Sequence, residues 1–363
     1  NKARRITRSS FVRVGATSRS MFLHAADATL VEASNVARAL VGHHAVEVSM
    51  VQSGGRNSRI WCVRHGDRAF ALKQYPPRGN DARNRLSTEV GALRLMERYR
   101  IDAVPRVLGV DVRLGYVLLS WIDGCDVAEI GDGDIDAAVA FLSAIHELRG
   151  TAWATEQPPA SEACMSGAEI ERQIDVRTEH LSGIGSEPEL IEFIDYSLGT
   201  ARVHATRTAR ALITAAGLDF GRELPQEWRS LVPSDFGFHN SMRRTDGSLA
   251  FVDFEYFGWD DPVKLTADIL LHPGRSLPPR QHRRFRQAAL QLYGSDRAFA
   301  ERLRAYLPLF GLRWVLILLN EFIPERWQRR VLAGGSGSWA EAKARQLSRA
   351  REFLAALPEK LEE

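Results

Sequence analysis

The sequence predicts an α+β fold of two unequal lobes, a small β-rich one followed by a larger, mainly helical one. Three observations predict it. Short strand-like stretches dominate the pattern of residues 45–121, and from residue 124 onward hydrophobic residues recur at helical spacing. One interruption near 231–256 breaks the helical signal. The length of 363 residues exceeds one ordinary domain.

In chain order, residues 1–26 carry six basic side chains and no acid, without the apolar core of a secretory signal. They read as a basic arm or edge strand, and organellar targeting is the competing reading. Residues 27–41 form an amphipathic helix with Leu30, Val31, Val36 and Leu40 on its apolar side, closed by Gly42. Strands follow at 45–52, 59–64 and 68–75, separated by the loop 53–58 and the tight turn 65–67. Pro76, Pro77 and Gly79 break this meander. A helix over 81–100 places Leu86, Val90, Leu93 and Met96 on one stripe, and strands at 107–110 and 116–121 end at Asp123-Gly124. The expected division is a basic arm and helix (1–44), a nucleotide-binding lobe (45–122) and a helical lobe (123–363), with a GGSGS joint at 334–338 before a last helix.

Composition narrows the class. Hydrophobic residues at 45% and charged residues at 26% describe a globular chain and exclude disordered or collagen-like ones. A net charge of +3 gives no reason to expect nucleic acid or a membrane surface as partner, and it leaves oligomeric state open. Cys62, Cys125 and Cys164 form neither a disulfide framework nor a metal site. They read as thiols of a cytoplasmic protein. The apolar stretch within 310–322 contains Arg313, Asn320 and Glu321 and falls short of the roughly 20 residues that span a bilayer, so it reads as a core helix.

Several residues carry candidate chemistry. The loop Ser53-Gly54-Gly55-Arg56-Asn57-Ser58 lets backbone N–H groups approach an anion, although paired glycines also serve plain hairpins. Lys73 shares a strand face with Ala69 and Ala71, opposite Phe70 and Leu72. Glu89 lies at the edge of the apolar stripe of its helix, where a carboxylate needs a cationic partner. Lys73 and Arg85 both offer one. Downstream, two apolar strand-like pieces ending at Asp235 and Asp253 are joined through a turn at Asp246-Gly247, which as a hairpin brings Asp235, Asn240 and Asp253 together. A carboxylate beside an attacking hydroxyl, with an amide and a second carboxylate as hard ligands, suits Mg²⁺-assisted phosphoryl transfer.

In this order the residues resemble the aminoglycoside phosphotransferase and choline kinase group, small-molecule relatives of protein kinases. That group carries a GGxxN loop, a strand lysine, a helix glutamate, an HGDxxxxN loop and a D-F/W-E motif. Here they stand as Gly54 to Asn57, Lys73, Glu89, Asp235 to Asn240 and Asp253-Phe254-Glu255, within roughly residues 45–330. The resemblance implies a bilobal protein-kinase-like fold that binds ATP, with GTP not excluded, and Mg²⁺. It implies that Gly54, Gly55, Arg56, Asn57 and Ser58 cover the phosphates and that Lys73, held by Glu89, contacts them. Ser120, Trp121 and Ile122 would form the adenine hinge, Asp235 would accept the acceptor's proton, and Asn240 and Asp253 would bind the metal.

The chain departs from the pattern at Pro233-Ser234, where His-Gly is usual, and at Gly237, where a histidine is usual. His239 either substitutes for that histidine or is packed. Asp261-Pro262 is followed by its next acid only at Asp268. There is no HRD or APE signature of a protein kinase. The expected acceptor is therefore a small hydroxyl compound such as a sugar, amino alcohol or aminoglycoside; a catalytically silent nucleotide- or partner-binding module is the alternative. Residues 151–230 hold 13 acids against 7 Lys+Arg, a net of −6, and 271–363 hold 9 against 17, a net of +8. The first suits an amine-bearing substrate, the second an anionic one, and both also suit solvated helix faces. Glu255, Trp259, Asn320 and Glu321 are the candidate substrate contacts.

Overall fold

A computed structural model describes residues 17–51, 58–76, 84–185, 187–332 and 337–362. Five antiparallel strands, β1 (Glu47–Met50), β2 (Arg59–His65), β3 (Arg68–Gln74), β4 (Val107–Asp111) and β5 (Tyr116–Ser120), form the N-terminal sheet in the order β1-β2-β3-β5-β4. Strand alternation gives β3 two different faces. Phe70 and Leu72 pack with Trp61, Tyr116 and Leu118 against helix α1 (Thr17–Val41). Tyr75, Val117 and Leu119 join Leu86, Val90 and Leu93 of helix α2 (Arg85–Arg98) on the opposite side.

Helix α1 begins well before residue 27, and its buried stripe is Ala33, Val36 and Ala37. Leu30 and Val31, expected on that stripe, are exposed. The two alanines one turn apart let the helix approach the bulky rings of Trp61 and Tyr116, which a leucine in their place would hold off. Residues 1–16, the greater part of the expected basic arm, lie outside the described residues.

The larger lobe is built around helix α9 (Phe299–Leu318), which packs on α4 (Gly167–Ser182), α6 (Gly199–Ala215), α7 (Pro262–Leu271) and α11 (Trp339–Glu362). Helices α3 (Asp132–Glu147), α5 (Pro188–Glu192), α8 (Pro279–Leu292) and α10 (Pro324–Leu332) complete it. The segment Phe299–Phe322 is long and apolar enough to cross a bilayer, more so than residues 310–322 suggest, yet 78% of its most apolar window is buried among the other helices. It is a core helix.

The interruption near 231–256 is not one hairpin. Strand β7 (Ser230–Val232) pairs with β10 (Gly258–Asp260), whereas β8 (Ser241–Arg244) and β9 (Leu249–Phe251) pair with each other and with β6 (Gly124–Asp126). The turn at Asp246-Gly247 selects the residues directly flanking it, and Pro233, lacking an N–H, ends β7 before it can extend. The two Asp-bearing loops therefore emerge from two small sheets and meet at their ends.

His146, at the C-terminal end of α3, holds β7 in place through Nδ1, 2.9 Å from Ser230 Oγ. Burial, and then the charge of Arg149, lowers its pKa from 6.5 to about 4. The unfolded chain therefore takes up a proton between those values that the folded chain refuses, so this part of the stability is complete above pH 6.5 and is lost as pH falls toward 4. In urea titrations at a series of pH values, His146→Gln should flatten the stability profile across that window by up to about 1.4 kcal/mol per pH unit. An unchanged slope would exclude His146 as the titrating group.

Candidate active site

Lys73 lies near the end of β3 and is buried. Its Nζ lies 2.6 Å from Glu89 Oε2 on α2 and 2.7 Å from Asp253 Oδ1, with Glu255 Oε2 at 3.9 Å. Burial alone would lower its pKa, but Asp253 and Glu89 outweigh it and raise the ammonium well above the ordinary value. Glu89 is 1% exposed and also accepts a hydrogen bond from the Tyr75 hydroxyl, so its partner is Lys73 rather than Arg85. Arg85 instead donates to Glu255 and, at 2.7 Å, to the Tyr256 hydroxyl. Burial and the nearby Asp253 push the Glu255 carboxyl up to about 6, while Lys73 and Arg85 pull against them.

Asp253 has φ +71°, a left-handed conformation unusual outside glycine, and so does Ser234 at +69°. These two strained residues mark the sharp turns that follow β9 and β7. Asp235, next to Ser234, is half-exposed in the cleft, with Oδ1 3.1 Å from His239 Nε2. Burial raises its pKa, but the hydrogen bond from His239 and the charges of His239, His272 and Lys264 overcome that effect and hold the carboxyl below its ordinary value. His239 is therefore bonded to Asp235 rather than merely packed, and it stacks on His272 with ring centroids 3.8 Å apart. Asn240 Nδ2 donates to the Asp235 carbonyl at 2.8 Å, and the Asn240 carbonyl accepts from Val252 N at 3.0 Å. That second bond sets Asn240 beside the turn carrying Asp253.

Lys264 braces the Asp235 loop from below. Its Nζ donates to Ser234 Oγ at 3.2 Å and lies 3.3 Å from both Asp260 and Asp268. The contribution of Asp268 to the loop thus passes through Lys264. Asp261 caps α7 through Val263 N and is held by Arg302 at 2.9 and 3.1 Å.

Asp235, Asn240, Asp253, Ser58, Asn320 and Glu321 all line one cleft of about 450 Å³. Glu255 and Trp259, expected as substrate contacts, do not. Glu255 is buried against Arg85, and Trp259, in β10, donates its indole N–H to the Ala154 carbonyl at 2.8 Å. Gly54, Gly55, Arg56 and Asn57 lie outside the described residues. Ser120, the last residue of β5, and Trp121 and Ile122, in the link to β6, are half-buried, and the Ser120 N–H is already committed to the Arg106 carbonyl at 2.9 Å. Sequence reasoning missed Tyr75, although the period of two places it on the Lys73 face. It also missed Lys264 and His272, for which the sequence offers no signal.

The two lobes, the cleft between them and the acid-rich loops at its base define a protein-kinase-like architecture. The chain matches the model of the phosphotransferase enzyme family over residues 50–306, and it belongs to that family. Comparison with curated proteins finds no match. Among solved structures, the choline kinase LicA from Streptococcus pneumoniae is similar at 18% identity and a TM-score of 0.52, covering 85% of this chain and 94% of its own. Spectinomycin phosphotransferase APH(9)-Ia, in complex with ADP and spectinomycin, gives 11%, 0.57, 86% and 93%. An ethanolamine kinase from Plasmodium vivax gives 12%, 0.55, 86% and 84%. At these identities the likeness establishes the shared fold.

The charge cluster around Lys73 has a measurable signature. Lys73→Met leaves Glu89 buried without its cation and should cost about 3–5 kcal/mol in urea unfolding. Adding Glu89→Gln to that variant removes the stranded charge and should recover about 1–2 kcal/mol, whereas no recovery would place the loss elsewhere.

Proposed function

We propose that the protein is a small-molecule kinase that transfers the γ-phosphoryl group of ATP, with Mg²⁺, to a hydroxyl of a small polar acceptor. The observation that carries this reading is the approach of Lys73 to both Glu89 and Asp253, at one end of the cleft into which Asp235 and Asn240 project. The donor set suits a hard divalent cation. Glu89, Asp253 and Glu255 each offer an oxygen within 4.8 Å of the others, and the Asn240 amide nitrogen is spent on Asp235, which leaves its oxygen as the available ligand atom. Asp253 and Asn240 would hold Mg²⁺, which when bound neutralises charge on the transferring phosphoryl group.

The remaining work falls to the chain's own side chains. Lys73, kept in place by Glu89, would contact the phosphates, and residues 54–58 would cover them. Asp235, charged under the influence of His239, would orient the acceptor hydroxyl and take its proton. The hinge at Ser120, Trp121 and Ile122 would bind the purine through backbone groups, which suits ATP and also admits GTP. With the Ser120 N–H engaged, the donor to the purine would come from Trp121 or Ile122. The division at residues 44 and 122 and a cytoplasmic location belong to the same proposal.

The test is ADP release with Mg-ATP and pooled hydroxyl acceptors. Asp235→Asn should lower turnover by about 10²–10⁴-fold while leaving the affinity for Mg-ATP within about twofold. Turnover within tenfold of the parent would remove Asp235 from the proposed role.

A further inference from the structure

Beyond Asp235 the cleft is walled by guanidinium groups. Arg177 comes from α4, Arg313 from α9, Arg326 and Arg330 from α10, and Arg349 from α11. Three carboxylates share that wall, and each is already held by a fixed cation. Glu162 Oε2 receives Arg177 at 2.6 Å and Arg313 at 2.8 Å. Asp268 lies between Lys264 at 3.3 Å and Arg313 at 3.6 Å, and Glu321 Oε1 receives Arg330 at 2.5 Å. Asp268 and Glu321 are also buried. An ammonium group entering this part of the cleft would meet five guanidiniums and no unspent carboxylate.

Arg349 is placed differently from the others. Among the described residues its guanidinium meets one partner, the Pro273 carbonyl, at 3.3 Å, which leaves most of its five donors for the cleft. Pro273 directly follows His272, whose ring stacks on His239, the residue bonded to Asp235. An anionic group bound at Arg349 therefore sits on the same wall as the proton acceptor, and the rest of a short acceptor can extend toward Asp235. The surplus of partly buried positive charge also favours an anion, because a cation withdrawn from water needs a counter-charge.

We infer that the acceptor carries an anionic group, a carboxylate or a phosphate ester, in addition to the hydroxyl it offers to Asp235. This rests on the reading of the site as a phosphotransferase. It also resolves the opposed charges of the two segments. The acidic stretch 151–230 does contribute Glu162 to the cleft, but Arg313 from the basic segment, together with Arg177, neutralises it.

The experiment uses the full chain with four acceptor pools: hydroxycarboxylates, sugar phosphates, neutral sugars, and amino alcohols with aminoglycosides. ADP release with Mg-ATP is read in parallel with thermal stabilisation in saturating AMP-PNP. Turnover is expected with one of the two anionic pools, which identifies the anion. Arg349→Ala should then lower kcat/KM for that acceptor about 10–100-fold, mainly through KM, with the KM for ATP within about twofold. Turnover confined to the neutral or cationic pools overturns the acceptor class and leaves the kinase reading standing. If no pool releases ADP, stabilisation by an anionic pool that Arg349→Ala abolishes supports the anion site while counting against the kinase reading. Absence of stabilisation overturns the inference.

Discussion

The ammonium of Lys73, buried between carboxylates from two other segments, is the constraint on which the rest of the site depends. It comes from β3, Glu89 from α2, and Asp253 from the turn after β9. A charge withdrawn from water is tolerated only with close counter-charges, so none of these segments can move without stranding the others. Arg85 and Glu255 repeat the arrangement beside it, again from opposite sides of the cleft. The two lobes are therefore joined at the site by electrostatics as well as by packing.

The loops at the base of the cleft are held in conformations they would not adopt alone. Ser234 and Asp253 both take left-handed backbone angles, and each is tied to a buried charge, Ser234 to Lys264 and Asp253 to Lys73. Strain at such positions persists when surrounding contacts over-determine the backbone. Here those contacts are a charge-assisted hydrogen bond to Ser234 and an ion pair to Asp253, and the strands on which the loops are mounted are only three or four residues long. Asp260 in this support has no solvent exposure, and burial drives its carboxyl up to about 6 even with Lys264 beside it.

From Lys264 the same network runs on through Asp268 to Arg313 and Glu162, and so from beneath the Asp235 loop to the far wall of the cleft. The wall is basic although the whole chain carries only +3. The charge that matters to a ligand is the surplus left after internal pairing, and pairing is decided by which side chains meet.

Much was legible in the sequence because it depends on local period and chain order. The alternation in β3 put Lys73 on the face opposite Phe70 and Leu72, and the helical stripe of α2 put Glu89 at its buried edge. The order of motifs carried the family resemblance. The sequence misjudged what depends on contacts between distant segments: the partner strands of β7 and β9, the buried side of α1, and the inward turn of Glu255 and Trp259. Short strands pair wherever a neighbouring edge is presented, and a polar side chain turns inward only when a distant partner waits there. The sequence by itself determined the two-lobed α+β plan and the order of its chemical groups. The tertiary structure decided which charges neutralise one another, because Coulomb attraction acts over a few ångströms and only folding brings residues 73, 89 and 253, or 162, 177 and 313, within that range.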